Sequence, residues 1–205
     1  VKNQEWVRGI FAGWKKSILD SPRIIPLQVG KEMVICDKRH RYMDRCQDDE
    51  VCVCEMSQAN VEQISRIIEI AGSDPAGWRK TTLEERHKIM YEAANRLGEM
   101  RGDLIGCMCA ITGKTVVEGD VEVSEGIDYA RFYTTSMKLF ADLPDVDITP
   151  EGTVLVISPW NFPCAIPIGG IVAALAGGNT VILKPATVAA PVAWLFAQAF
   201  WDAGV

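Results

Sequence analysis

Histidine, paired cysteines and long apolar segments are scarce in this sequence. Only His40 and His87 carry an imidazole among the 205 residues. Of the seven cysteines, Cys52 and Cys54 form one close pair and Cys107 and Cys109 another, each separated by a single residue. Structural zinc sites usually place about two to four residues between paired ligands. A metal interpretation of these pairs is therefore weak, and we expect no metal site.

The sequence also lacks the features of exported, membrane and nucleic-acid-binding proteins. The odd number of cysteines suits no disulfide framework, and residues 1–20 carry charges and tryptophan where a secretory signal has an apolar core. Residues 166–176, the most apolar region, are too short and too rich in glycine to span a bilayer. The net charge of -6 argues against a nucleic-acid partner. We expect reduced thiols and a cytoplasmic location.

What the sequence does contain is the pattern of a βαβ unit in residues 151–205. Two apolar segments rich in β-branched residues alternate with two segments of helical composition, and glycine, asparagine and proline stand at the joints. Such a unit implies a parallel sheet flanked by helices. The predicted elements are a buried strand at 153–157, a helix at 164–176, a buried strand at 180–183 and a helix at 189–203.

Two polar side chains follow these strands at the edge where ligands bind in parallel sheets. Asn161 comes after the first strand, between Trp160 and Phe162, and Lys184 ends the second. An amide in a stiff apolar setting suits an oxygen that gains negative charge during a reaction. A lysine at a strand end suits ribose hydroxyls or a phosphate. The alternative is an ordinary turn with a satisfied asparagine and a surface lysine.

The motifs of this region resemble the aldehyde dehydrogenase family. They are Ser158-Pro159-Trp160-Asn161-Phe162-Pro163 and, in register with it, Ala176-Gly177-Gly178-Asn179-Thr180-Val181-Ile182-Leu183-Lys184-Pro185-Ala186. The resemblance implies an α/β fold, the first part of an aldehyde dehydrogenase with a parallel Rossmann-like sheet. It makes Asn161 the catalytic oxyanion donor, and Phe162 a substrate contact. It implies NAD as cofactor, bound by Ile157, Ser158, Pro159, Trp160, Lys184, Ala186 and Thr187.

Residues 1–150 are predicted to form a mainly helical segment with short strands and a linker at 139–150. The expected elements are an amphipathic helix within 1–20, ended at Ser21-Pro22, a hairpin at 24–34, a solvated loop at 37–50, a strand at 51–55, a helix from Ser57 to Ala71, a long helix after a capping box at Thr82, and another from about Thr115 to Lys138. Residues 151–205 are then the first, incomplete βαβ part of the dinucleotide-binding domain.

An acidic ridge lies on the last of these helices, at Glu118, Glu122, Glu125 and Asp128. Its spacing is typical of a solvated face, although a compensating partner or ligand would relieve the repulsion. The segments 113–115 and 122–133 resemble the glutamate semialdehyde dehydrogenase branch, which includes the aldehyde-oxidising half of bifunctional proline utilization A. The resemblance implies that Glu125 faces the substrate's amino group. The alternative is a surface acid.

The family mechanism needs more than this chain contains. A cysteine thiolate attacks the aldehyde, an asparagine and a backbone N–H hold the oxyanion, hydride passes to the nicotinamide, and a glutamate activates water. The motifs of the nucleophilic cysteine and the glutamate do not occur here, and Cys164 matches an apolar helix-start residue of the family. We therefore expect an N-terminal fragment, inactive alone, of an enzyme that oxidises glutamate γ-semialdehyde to glutamate in proline catabolism.

Several alternatives stay open. The chain could be a non-catalytic binding or assembly module, or belong to a dehydrogenase for a different aldehyde. The family's usual glutamate after Lys-Pro-x is Thr187 here, which removes a charge that would repel a 2′-phosphate, so NADP could be tolerated. The resemblance also implies a homo-oligomer, and FAD only where a proline dehydrogenase domain precedes the chain.

Overall fold

The computed structural model describes the backbone of residues 2–19, 23–46 and 51–205, and the side chains of 3–14, 23–46 and 51–205. The predicted break at Ser21-Pro22 lies outside these residues. In chain order the elements are α1 (Lys2–Leu19), β1 (Arg23–Ile25), β2 (Leu27–Val29), β3 (Glu32–Val34), β4 (Arg39–Met43), β5 (Cys52–Ser57), α2 (Val61–Ser73), α3 (Leu83–Glu99), α4 (Arg101–Thr112), α5 (Val116–Ala141), β6 (Thr153–Ile157), α6 (Ala165–Ala176), β7 (Thr180–Lys184) and α7 (Ala190–Ala203). Short 3₁₀ helices cover Trp78–Lys80 and Thr187–Ala189.

The described strands form three small sheets. β6 and β7 are parallel, with Ile157 opposite Lys184, as the βαβ pattern predicts. β2 and β3 form the predicted antiparallel hairpin. The third sheet has the order β1-β5-β4, with β1 parallel and β4 antiparallel to β5. The predicted α/β class, with a parallel Rossmann-like unit preceded by a largely helical segment, is confirmed.

The N-terminal segment differs from the prediction at two strands. The predicted hairpin at 24–34 began too early, because Ile24 and Ile25 belong to β1 and pair with β5. The predicted solvated loop at 37–50 was wrong at β4, and its residues 47–50 lie outside the described part of the chain. β4 escapes a sequence prediction because Arg39 and Arg41 cover its outer face and form ion pairs with Glu55 of β5, both at 3.5 Å.

The start of α2 was also predicted wrongly. Asn60 and not Ser57 caps this helix, through a capping box with Gln63. Ser57 ends β5, where its buried hydroxyl accepts a hydrogen bond of 3.1 Å from the N–H of Cys36. The apolar stripe of α2 exists as predicted but faces outward, since no α2 residue is buried. By contrast, the capping box predicted at Thr82 is present at the start of α3. A second capping box, which was not predicted, starts α5 at Thr115.

One buried cluster joins both predicted segments. α4 lies at its centre with every residue from Leu104 to Ile111 buried, and Met90 of α3, Ile168 of α6 and Phe196 of α7 are fully enclosed. Such burial stabilises by roughly 1.5–3 kcal/mol per large side chain. Because side chains from before and after residue 150 share this core, α5 and α6 are fixed relative to each other. The division at residue 150 stays a prediction.

The two strands predicted to be buried are only half buried. Along β6, Val154 and Val156 are partly covered, whereas Leu155 is 54% and Ile157 66% exposed. This alternation means that α6 covers one face of the β6–β7 pair, while Leu155 and Ile157 are exposed on the other face. The continuous apolar composition had suggested burial on both faces.

Candidate active site

The candidate site is the turn that leaves β6 and enters α6. The N–H of Ser158 donates to the carbonyl of Lys184 at 3.4 Å, so the turn starts beside the end of β7. Trp160, Asn161 and Phe162 are exposed, whereas Pro163 and Cys164 are buried. A turn held by two buried residues at its exit presents the Asn161 amide at the surface of the carboxyl edge.

The residues predicted to bind the dinucleotide share this edge. Lys184 is exposed opposite Ile157, and Thr187 is exposed in the 3₁₀ helix that follows β7. An ammonium and a hydroxyl are donors that fit ribose hydroxyls, so the side chains present suit a dinucleotide. The structure therefore brings Ile157, Ser158 and Lys184 together and places Thr187 a short turn away.

A tyrosine that the sequence did not single out supports the segment after β7. Tyr42 of β4 is 6% exposed, and its hydroxyl donates to the carbonyl of Thr187 at 2.6 Å. Burial, and next the nearby Cys54, raises the pKa of Tyr42 to about 12. The hydroxyl therefore remains a donor throughout the physiological range. Because β4 had been interpreted as loop, no sequence signal marked this contact.

Glu122 is the main correction to the predicted acidic ridge. It is 1% exposed and enclosed between α5 and α6, so it does not belong to a solvated face. Its Oε2 accepts hydrogen bonds from the N–H groups of Cys164, at 2.9 Å, and Ala165, at 3.1 Å. The start of α6, which favours an anion, is thus occupied by a carboxylate of the chain itself.

Lys114 is the ionic partner of Glu122. Its Nζ lies 2.8 Å from Oε1 of Glu122, as an ion-pair contact and not an aligned hydrogen bond. The same Nζ lies over the ring of Phe162, 4.7 Å from the ring centroid. A cation within about 6 Å of an aromatic face is attracted to it. Lys114 therefore links the start of α5 to the residue beside Asn161.

Glu125 lies one turn after Glu122 and is half buried. Its Oε1 accepts a hydrogen bond of 2.8 Å from the hydroxyl of Tyr129, and this bond is the main cause that raises the pKa of Tyr129. Tyr129 in turn packs on α6, where a Cβ at Gly169 would come within 3.0 Å of its ring. Among the described contacts, Glu125 is joined to Tyr129 and not to the turn that carries Asn161.

Cys164 has the environment of a packing residue. Its side chain is fully buried. Burial, and next the carboxylate of Glu122, raises the pKa of the Cys164 thiol far above its ordinary value. A nucleophilic cysteine needs the opposite shift and an open approach. Within the described ranges, no three His, Cys, Asp or Glu side chains cluster as metal ligands would.

The fold and this edge define a Rossmann-like α/β protein whose first βαβ unit carries a polar turn. The chain belongs to the aldehyde dehydrogenase family, whose family model matches residues 36–205. A 1-pyrroline-5-carboxylate dehydrogenase from Geobacillus sp. (strain WCH70) is 33% identical over 190 residues, which are 88% of this chain and 37% of that protein.

Solved structures show the same likeness over the whole chain. Proline utilization A from Bdellovibrio bacteriovorus matches with a TM-score of 0.91 and 26% identity, over 100% of this chain and 22% of that one. A Thermus 1-pyrroline-5-carboxylate dehydrogenase with bound NAD matches with a TM-score of 0.88 and 26% identity, over 100% and 41%. The chain thus spans well under half the length of these relatives. Among its described residues, no helix is long and apolar enough to cross a membrane.

Proposed function

We propose that this chain is the N-terminal part of an NAD-dependent dehydrogenase that oxidises L-glutamate γ-semialdehyde to L-glutamate. The observation that carries the proposal is the Asn161 turn at the carboxyl edge of β6, beside Lys184. The similar Geobacillus protein is named 1-pyrroline-5-carboxylate dehydrogenase, which supports this substrate class. The similar Thermus structure holds NAD, which supports the cofactor.

In this proposal the side-chain amide of Asn161 donates a hydrogen bond to the oxygen that becomes negative when a thiolate adds to the aldehyde. A preformed donor in a turn stiffened by Pro159 and Pro163 stabilises that oxygen without reorganising. Phe162 borders the aldehyde, and Glu125 binds the substrate ammonium. NAD, held by the residues at the ends of β6 and β7, would supply the acceptor for the hydride. The thiolate and the base that hydrolyses the thioester come from parts of the protein outside this chain, so the chain alone should be inactive.

The residues proposed for the dinucleotide are those of the strand ends. Ile157, Ser158, Pro159 and Trp160 line one side of the path, and Lys184, Ala186 and Thr187 the other. The likeness to proline utilization A supports a fusion to a proline dehydrogenase domain, and FAD belongs to the proposal only with that domain. The expected homo-oligomer and cytoplasmic location remain predictions.

The test compares the full-length protein with its Asn161→Ala variant in an NADH assay with glutamate semialdehyde. We expect turnover to fall by roughly 10²–10³, the usual cost of one oxyanion donor, with little change in NAD affinity. Asn95→Ala, an exposed asparagine on α3, is the matched control and should keep full activity.

Two results would contradict the proposal. Wild-type turnover in the Asn161→Ala variant would make Asn161 an ordinary turn residue. A wild-type protein that oxidises no aldehyde would favour the non-catalytic module. A panel of aldehydes tests the substrate separately, because a higher kcat/KM for another aldehyde would overturn glutamate semialdehyde alone.

A further inference from the structure

The start of α6 has no cap of its own. Cys164 occupies the N-cap position, and its side chain makes no capping hydrogen bond. The first N–H groups of a helix need acceptors, especially where they are buried. Both Cys164 and Ala165 donate to Glu122, which comes from α5 and lies 42 and 43 residues earlier in the chain. The position of the turn's exit therefore depends on a side chain of another helix.

The same carboxylate acts on the other side of the turn through Lys114. The Lys114 side chain is 14% exposed and that of Glu122 is 2% exposed, so water screens the pair weakly. Lys114 also holds the ring of Phe162, the neighbour of Asn161. One ion pair thus contacts residue 162 with its cation and residues 164 and 165 with its anion. We call Lys114 and Glu122 the buried pair.

The entrance of the turn, at Ser158, is less firmly fixed than its exit. There the hydrogen bond from Ser158 to Lys184 is long, at 3.4 Å. Asn161 itself is exposed, between this entrance and the residues that the buried pair holds. A buried ion pair is by itself weak support for stability, since isosteric apolar residues often serve as well. A misplacement of about 1 Å can lower turnover about a hundredfold, so the contacts that fix the exit of the turn matter for an amide that acts at position 161.

We infer that the buried pair consists of positioning residues that set the Asn161 amide for the oxyanion. The inference rests on the proposed function, and it assigns Glu122 and Lys114 a part in turnover that neither the motif nor the acidic ridge suggested. Neither residue touches the reacting atoms. Each acts through the turn, so their effect on turnover exists only while Asn161 is present.

A double-mutant cycle in the full-length enzyme tests this dependence. Glu122→Gln keeps an acceptor oxygen and the side-chain volume but removes the charge and places an amide against Lys114. We expect kcat to fall about tenfold or more while the KM for NAD changes less than about twofold. In the Asn161→Ala background, the same change should lower kcat by less than about twofold, because the positioned group is gone.

Glu118→Gln is the matched control for this cycle. It makes the same chemical change one turn earlier on α5, where Glu118 is exposed and closes a capping box with Thr115. We expect wild-type kcat in this variant. Equal losses from Glu122→Gln with and without Asn161 would show a general effect on the fold and overturn the positioning role.

Amide hydrogen exchange in the full-length protein tests the contact without any turnover. Glu122→Ala removes the acceptor, so exchange at Cys164 and Ala165 should accelerate about tenfold or more relative to Ile168, whose N–H stays bonded to the Cys164 carbonyl. Where Glu122→Ala does not fold, the Glu122→Gln cycle decides. Unchanged exchange at both amides would overturn the contact. An inactive wild-type enzyme would instead overturn the proposed function, and with it the catalytic role of the pair.

Discussion

Of the two adjacent glycines that end α6, Gly178 should lose more stability than Gly177 when it is replaced by alanine. It adopts a φ of +84°, the left-handed region in which a side chain costs about 1–2 kcal/mol. A Cβ there would also overlap the Arg86 guanidinium and lie 3.0 Å from Pro150 Cγ. Gly177, with a φ of -70°, has ordinary helical geometry and only the Asn179 amide within 3.2 Å.

The expected cost of Gly178→Ala follows from these contacts. Arg86 donates to the carbonyl of Ala176 at 3.0 Å, and displacing this half-exposed group forfeits about 0.5–1.5 kcal/mol. The reduced freedom of the unfolded chain returns about 0.4–1 kcal/mol. We therefore expect a net loss of about 0.5–3 kcal/mol. For Gly177→Ala the loss should stay below about 0.5 kcal/mol.

Urea unfolding of the chain, followed by far-ultraviolet circular dichroism, measures both variants. An Arg86→Ala background separates the two causes, because it removes the overlap and leaves only the backbone strain. The penalty at Gly178 should fall there towards about 1 kcal/mol. If Gly178→Ala and Gly177→Ala lowered the free energy of unfolding equally, the reasoning from φ and overlap would be refuted.

Three further predictions concern the carboxyl edge and the acidic ridge. Thr187→Glu in the full-length enzyme should lower kcat/KM with NADP by roughly tenfold or more and change kcat/KM with NAD little, because a carboxylate repels a 2′-phosphate. An unchanged ratio of the two kcat/KM values would show that residue 187 does not approach the ribose. Glu125→Gln should lower kcat/KM for glutamate semialdehyde more than for an aldehyde without the amino group. Equal effects on both aldehydes would show that Glu125 does not bind the amino group. Tyr42→Phe should lower the free energy of unfolding by about 1–3 kcal/mol, since the Thr187 carbonyl loses its donor. The wild-type chain, whose Tyr42 pKa is raised from 10.0 to about 12, should also lose this contribution as the pH rises through that window, and the phenylalanine variant should not.

The βαβ unit could be predicted because its signals are local. Glycine and asparagine at 177–179 and proline at 185 mark the ends of segments whose composition already distinguishes strand from helix. The capping box at Thr82 is equally local and was predicted. The one at Thr115, with Glu118 three residues later, is as local but was missed. Composition does not show whether one or both faces of a strand are covered. For that reason Leu155 and Ile157 were predicted to be buried, whereas they are exposed.

Glu122 shows the limit for the candidate site. Its spacing from Glu118 and Glu125 predicts a shared helix face but does not say what lies against that face. α5 packs against α3, α4 and α6, so part of a ridge that looks solvated is enclosed. The sequence signals that could have identified the buried Glu122 were the repulsion among the acidic residues of the ridge and the presence of Lys114 just before α5. Tyr42 was beyond reach, since its partner lies 145 residues away.

Glu122, a residue of α5, caps the start of α6, and the two partners of this contact are synthesised at different times. The two amides that Glu122 accepts from are encoded 42 and 43 residues after it, whereas Lys114 precedes it. At about 5–20 residues per second, the ribosome adds those amides roughly 2–9 s after Glu122. During that interval Lys114 is the partner already synthesised, and α5 can form around the pair. The acceptor for the start of α6 is thus synthesised before β6 and α6 themselves.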